Sequence, residues 1–295
     1  YDAWELEDHY PLKAYGLDSD ANITPVTDGT RAGFLVERSY LHSTLRQTVW
    51  LYSRSPRIDF DTELDWHEHH QVIKAVFPLN VHSMSATYDI QFGHVTRPTH
   101  RNTDWDKAKF EVYAHKWADL SESGYGVALL NNGKYGHATE GSTLSLTLVK
   151  SATDPNPDAD QGIQRFTYSL LPHEGDFRAG GVIPESLFLN QPLYGFVVVG
   201  KRNGMLPERG SLVSCDRPNV IITALKQAED GDGAIVRFYD AYDCKSEVTL
   251  KVPNDCTEAF LCDLMEHELQ KLTLKDGTVH VPVSNFEIVT IKLKK

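Results

Sequence analysis

Apolar and polar side chains alternate along most of this chain. Thr44-Leu45-Arg46-Gln47-Thr48-Val49-Trp50-Leu51-Tyr52 places Leu45, Val49 and Leu51 on one face and Thr44, Arg46 and Thr48 on the other, which is the period of an extended strand. The same spacing predicts strands over 71–77, 86–91, 125–130, 143–149 and 166–171. With turn signals between runs of this length, the pattern predicts an antiparallel sandwich. Only 103–108 and 184–189 offer the cap-then-turn pattern of a helix, and both are short. The Asp-, Pro- and Ala-rich stretch from Ser151 to Gly162 suits neither element and predicts a surface loop within the first domain. After Pro218 a simpler set of strands is predicted at 220–225, 234–239, 247–252, 259–264, 278–282 and 287–292. Polar turns at Glu229-Asp-Gly-Asp-Gly233 and Lys275-Asp-Gly277 separate them, enough for a second, smaller sandwich. The expectation is an all-β chain with domains at 1–216 and 217–295.

Composition narrows the function more than the fold. The 295 residues are 41% hydrophobic and 10% aromatic, ample for a buried core. A formal charge of −12 with no Lys/Arg stripe argues against nucleic acid as a partner. The longest apolar run, Leu193-Tyr-Gly-Phe-Val-Val-Val-Gly200, has the length of a strand and not of a membrane-spanning helix, so no membrane partner is expected. Cys215, Cys244, Cys256 and Cys262 lack metal-ligand spacing and are expected as free thiols, as suits a cytoplasmic protein. No GxSxG, P-loop, Rossmann or HExxH pattern occurs.

Three clusters could carry chemistry. Asp65-Trp66-His67-Glu68-His69-His70 offers imidazole and carboxylate ligands. On a strand, however, His69 and His70 would point to opposite faces, so no metal site is expected. Asp104 and Asp106 flank Trp105, but carboxylates two residues apart on one short segment are better placed to cap a helix from Asn102 or Thr103 than to straddle a glycosidic bond. His94, Arg97, His100, Arg101, His115, Lys116 and Trp117 could line a sugar groove or form a buried polar and aromatic network. No catalytic residue is assigned from this pattern.

The stretch from Phe92 to Gly136 resembles glycoside hydrolase family 38. It carries Arg97-Pro98-Thr99-His100, Asn102-Thr103, Trp105-Asp106, Phe110-Glu111-Val112, the run His115 to Glu122 and the run Tyr125 to Asn131. The likeness extends through Tyr1-Asp2-Ala3-Trp4, Trp66-His67-Glu68-x-His70, Asp160-Gln161-Gly162, Arg165 to Leu170 and Pro172-His173. It is similar to the branch containing cytosolic and bacterial α-mannosidases.

The resemblance implies a large antiparallel supersandwich of the galactose-mutarotase-like kind, shortened at its amino-terminal side, followed by a small carboxyl-terminal β-sandwich. It also implies a zinc-dependent, retaining parent enzyme whose zinc ligands, nucleophile and acid/base lie in an amino-terminal domain with no counterpart here. The implied partners are the catalytic and helical domains of the same enzyme and mannose-containing glycans, with a homo-oligomer allowed. Tyr1, Asp2 and Trp4 are then expected near the sugar. Arg97, His100, Asn102, Trp105, His115 and Trp117 are expected to pack against other domains or face sugar. Two other readings stand beside this: a supersandwich epimerase or lyase using His94 or His100 with a carboxylate, and a carbohydrate-binding module.

Overall fold

The computed structural model describes every residue except 1, 19, 201–203, 205 and 206. The fold is nearly all β, 6% helical and 49% strand. It divides into two compact units, one of 1–90 with 95–193 and one of 91–94 with 194–295.

The first unit is built on a nine-stranded sheet. Its strands lie in the order Asn22–Thr27, Arg31–Tyr40, Ser43–Tyr52, Ile58–Trp66, Gly162–Glu174, Tyr125–Asn131, Trp117–Ser121, Ser85–Ile90 and Gly93–Pro98. A second sheet orders Ile73–Pro78, Thr143–Val149, Gly136–Glu140 and Val112–Tyr113. One apolar core joins side chains of the two: Leu64, Tyr88, Ala118, Leu120, Val127 and Leu129 from the large sheet, Ala75, Leu144, Leu146 and Leu148 from the small one. Register explains the selection. Leu129 lies opposite both Ala118 and Leu170, and Val127 opposite Leu120, so their side chains share the face turned to the core. The other face is not left bare, since the helix Val182–Asn190 packs against Tyr125–Asn131 and Trp117–Ser121.

The second unit pairs a five-stranded sheet (Val220–Gln227, Ala234–Asp240, Ile288–Lys294, Glu258–Cys262, Glu268–Leu272) with a four-stranded one (Ser214–Cys215, Ser246–Lys251, Thr278–Val283, Leu274–Lys275). Val236, Phe238, Ile291, Val248, Leu250, Val279 and Val281 form its core, drawn from both sheets. Cys215, Cys244, Cys256 and Cys262 are free thiols.

The predicted strands form, with displaced ends. The run expected at 166–171 is the middle of a thirteen-residue strand, Gly162–Glu174. At its amino end Gly162 and Gln164 are half-buried while Ile163 and Arg165 are exposed, so one apolar side chain, Ile163, lies on the wet face. The helix expected at 103–108 spans Asp104–Lys107, capped by the Thr103 hydroxyl, which accepts the Asp106 N–H at 3.1 Å. One expectation fails. The strand carrying Asp65 ends at Trp66, and His67 to His70 form an irregular turn in which His70 has φ 53°. Period-two reasoning about the faces of His69 and His70 therefore does not apply to them. Residues 193–200, an apolar run of strand length, form no strand.

Candidate functional site

Asp2 fastens the amino-terminal segment to the loop that follows strand Thr143–Val149. Its carboxylate accepts the Thr153 N–H at 2.9 Å, the Asp154 N–H at 2.8 Å and the Thr153 hydroxyl at 3.3 Å, and lies 3.1 Å from His70 Nδ1. These donors, the Thr153 amide first, hold the Asp2 pKa down at about 2. Ala3 N–H donates to the Asp154 carbonyl at 3.2 Å, and Lys150 Nζ donates to the carbonyls of Ala3 and Glu5 at 3.2 and 2.7 Å. The loop itself is shaped by Asp160, whose carboxylate accepts the N–H groups of Lys150 and Ser151, both at 3.1 Å. On this fixed turn the Trp4 side chain stands 70% exposed. Tyr1 lies outside the described residues.

The 97–117 block does not gather into one groove. Arg97 lays its guanidinium over Tyr88 at 4.6 Å and Tyr113 at 5.4 Å, and burial pushes its pKa down. His100 Nδ1 stands 3.8 Å from Asp106, beyond hydrogen-bond reach. Asn102 is exposed and leaves the cap to Thr103. Trp105 is 81% exposed on the one-turn helix. The His115 ring lies against Tyr135 at 5.2 Å, while its backbone N–H donates to the Asp89 carbonyl and its carbonyl accepts from Asn131. Trp117 is 1% exposed and stacks on Phe177 at 5.0 Å, a core position of the first unit. His94 belongs to the second unit, with its ring edge-on to Phe286 and Nδ1 3.2 Å from the Ala241 carbonyl.

Three members of the His-rich turn, His67, Glu68 and His70, have partners. His67 Nε2 pairs with Asp65 at 2.9 Å, and the buried Glu68 carboxylate accepts the His42 N–H and the Ser43 hydroxyl at 2.8 and 2.9 Å. Among the described residues no three His, Cys, Asp or Glu side chains are grouped as a metal ion would require. These residues do not fit a resident zinc ion. Asp104 and Asp106 serve the helix, Asp106 as acceptor from Thr103 and Asp104 as partner of Lys107.

Comparison with known proteins supplies what the geometry alone does not. The glycosyl hydrolases family 38 C-terminal domain matches residues 1–158, more than half of the chain. The chain belongs to glycoside hydrolase family 38. The family 38 C-terminal beta sandwich domain matches residues 219–291 as well. Relatives include Alpha-mannosidase 2C1 of Homo sapiens, 39% identical over 302 residues, a match covering 99% of this chain and 29% of that protein. Alpha-mannosidase of Saccharomyces cerevisiae is 35% identical over 250 residues, covering 81% of this chain and 22% of its own length. The chain thus spans under a third of the length of these relatives. An alpha-mannosidase crystal structure from Enterococcus faecalis V583 shares the fold, with a TM-score of 0.76 at 16% identity over 94% of this chain and 35% of that one.

In this family 38 C-terminal portion two buried polar centres carry no signal in the linear pattern. Asp59 accepts the Tyr52 hydroxyl at 2.5 Å, the Ser169 hydroxyl at 2.7 Å and Arg57 Nε at 2.7 Å, while Arg57 reaches on to Glu185 at 3.0 Å. His173 Nε2 lies 2.7 Å from Asp119, whose second oxygen accepts the Ser121 hydroxyl at 2.5 Å. The second centre's members fall within the family likeness, Asp119 and Ser121 in the run His115 to Glu122 and His173 in Pro172-His173.

Proposed function

We propose that this chain is the non-catalytic carboxyl-terminal β portion of a retaining, zinc-dependent α-mannosidase. In this reading it supports the active site and contributes part of its wall for hydrolysis of terminal α-mannosides in glycans. A cytoplasmic location accords with the four free thiols. No helix among the described residues is long and apolar enough to cross a membrane.

The observation that carries the reading is the Asp2 clamp. Both carboxylate oxygens are engaged by the Thr153–Asp154 turn, so Asp2 acts as a positioning residue and does not itself bond the sugar. What it positions is the exposed Trp4 indole, as the sugar-facing group. Retaining hydrolysis needs a nucleophile and an acid/base about 5 Å apart. The family likeness implies that the reacting pair and the zinc belong to an amino-terminal part; in this chain Asp104 is paired with Lys107, Asp106 accepts from Thr103, and Asp59 is held by three donors.

The experiment is kinetic. In the full-length enzyme, Trp4→Ala should raise KM for an aryl α-mannoside, or lower kcat, with little change in melting temperature. The 295-residue chain alone should release no aglycone with or without zinc. Unchanged kinetics for both Trp4→Ala and Asp2→Ala remove the site assignment, and hydrolysis by the isolated chain overturns the reading.

A further inference from the structure

Leu193-Tyr-Gly-Phe-Val-Val-Val-Gly200 has the composition of a buried strand, yet it pairs with no strand among the described residues. Leu193, Tyr194, Phe196, Val197, Val198 and Val199 are each between 63% and 94% exposed. Exposed apolar residues elsewhere, such as Ile23, Phe34 and Leu51, stand among polar neighbours on strands and are ordinary for a protein surface. Six within seven consecutive positions are not, and such a patch marks an interaction site.

The pattern of the run says what kind of cover it needs. In an extended backbone Leu193, Val197 and Val199 fall on one face and Tyr194, Phe196 and Val198 on the other. A strand apolar on both faces is one enclosed on both sides, as within a sheet that has layers packed above and below. A lipid surface or a shallow groove covers one face only. Its unpaired backbone N–H and C=O groups can join a neighbouring strand, the mode of recognition in which the main chain supplies the hydrogen bonds. The comparisons supply the occupant. The chain matches C-terminal domains and spans 29% of the human relative, and on the reading above the occupant is the part of the enzyme that precedes such domains.

We propose that Leu193–Val199 is the segment by which this chain docks onto the amino-terminal part of the same enzyme, entering it as a strand covered on both faces. The proposal rests on the reading of the chain as the carboxyl-terminal part of a longer α-mannosidase. Hydrogen–deuterium exchange on the full-length enzyme tests it, with mannosidase activity of the same sample recorded separately. Amides of 193–199 should exchange at least about tenfold more slowly than the intrinsic rate of that sequence. That protection should not change on dilution of the protein. Phe196→Asp with Val198→Asp should abolish it, whereas Phe196→Leu should keep it. Should the double variant fail to fold, the wild-type measurement still decides.

Exchange at the intrinsic rate overturns the proposal. So does protection that disappears on dilution, which assigns the segment to a second copy, or protection that appears only with added anionic vesicles. An active enzyme with an unprotected segment sinks the docking alone. A protected segment in an enzyme inactive on α-mannosides sinks the functional reading and leaves the docking in place.

Discussion

His173 Nε2 lies 2.7 Å from the Asp119 carboxylate, with the two side chains only 3% and 2% exposed. The ring is held between two glycines. A Cβ on Gly126 would stand 2.5 Å from His173 Cε1, and one on Gly180 would stand 2.3 Å from Cγ, so neither position can carry a side chain while the ring stays where it is. Burial by itself would lower the His173 pKa, but the Asp119 hydrogen bond and charge outweigh it and the net direction is upward. A pKa raised above its unfolded value stabilises the fold fully below that value, 6.5, and the contribution is lost as pH rises through the folded pKa. The full-length enzyme should therefore lose melting temperature as pH rises above 6.5. Asp119→Asn should flatten that slope and cost about 3–5 kcal/mol, the penalty for stranding one partner of a buried pair. Thermal melts against pH decide it, and an unchanged slope in the variant sinks the assignment.

Asp2 gives the opposite sign. Its pKa is depressed from 3.8 to about 2, chiefly by the Thr153 amide, so the anchoring of the amino-terminal turn is complete above 3.8 and is lost as pH falls through about 2. Proton NMR of the Thr153 and Asp154 amides should report this titration. A midpoint near 3.8 would mean that the carboxylate does not hold the turn. Asp2→Asn should remove the titration altogether.

Two tryptophans in one family-matching block should behave differently. Trp117→Ala opens the buried stack on Phe177 and should destabilise the enzyme by about 3–5 kcal/mol. Trp105→Ala, at an indole 81% exposed, should change stability by no more than about 0.5 kcal/mol. Equal losses in denaturant midpoint would contradict the burial on which this contrast stands.

Asp59 collects the Tyr52, Ser169 and Arg57 donors on the sheet face away from the core with Leu64 and Leu129. Asp59→Ala should strand the Arg57 guanidinium beside Glu185 and leave two hydroxyls without their acceptor, costing about 3–5 kcal/mol. The double variant Asp59→Ala with Arg57→Met should recover part of the loss. Strict additivity in that double-mutant cycle would show the pair to be uncoupled.

Alternation identified the strands because each side chain's face is a local property, set by the pleat and by which face is wet. Thr103 and the acidic residues after it likewise signalled a helix start, since a cap bonds within its own turn. The His-rich run misled because the same local rule was carried past Trp66, where the backbone turns and His70 takes φ 53°. Neither periodicity nor composition separates Trp105 from Trp117, although one is at the surface and the other in the core.

Length, charge, strand content and family kinship were thus legible in the residues taken in order. Partner choice across long separations was not. Asp2 meets Thr153, 151 positions away, and His173 meets Asp119 at a separation of 54. The cost of closing such loops grows only slowly with their length, so sequence distance scarcely discriminates among candidate partners. The packed sheets select them, by bringing one carboxylate to two free amides and by shutting one imidazole between two glycines beside a buried acid.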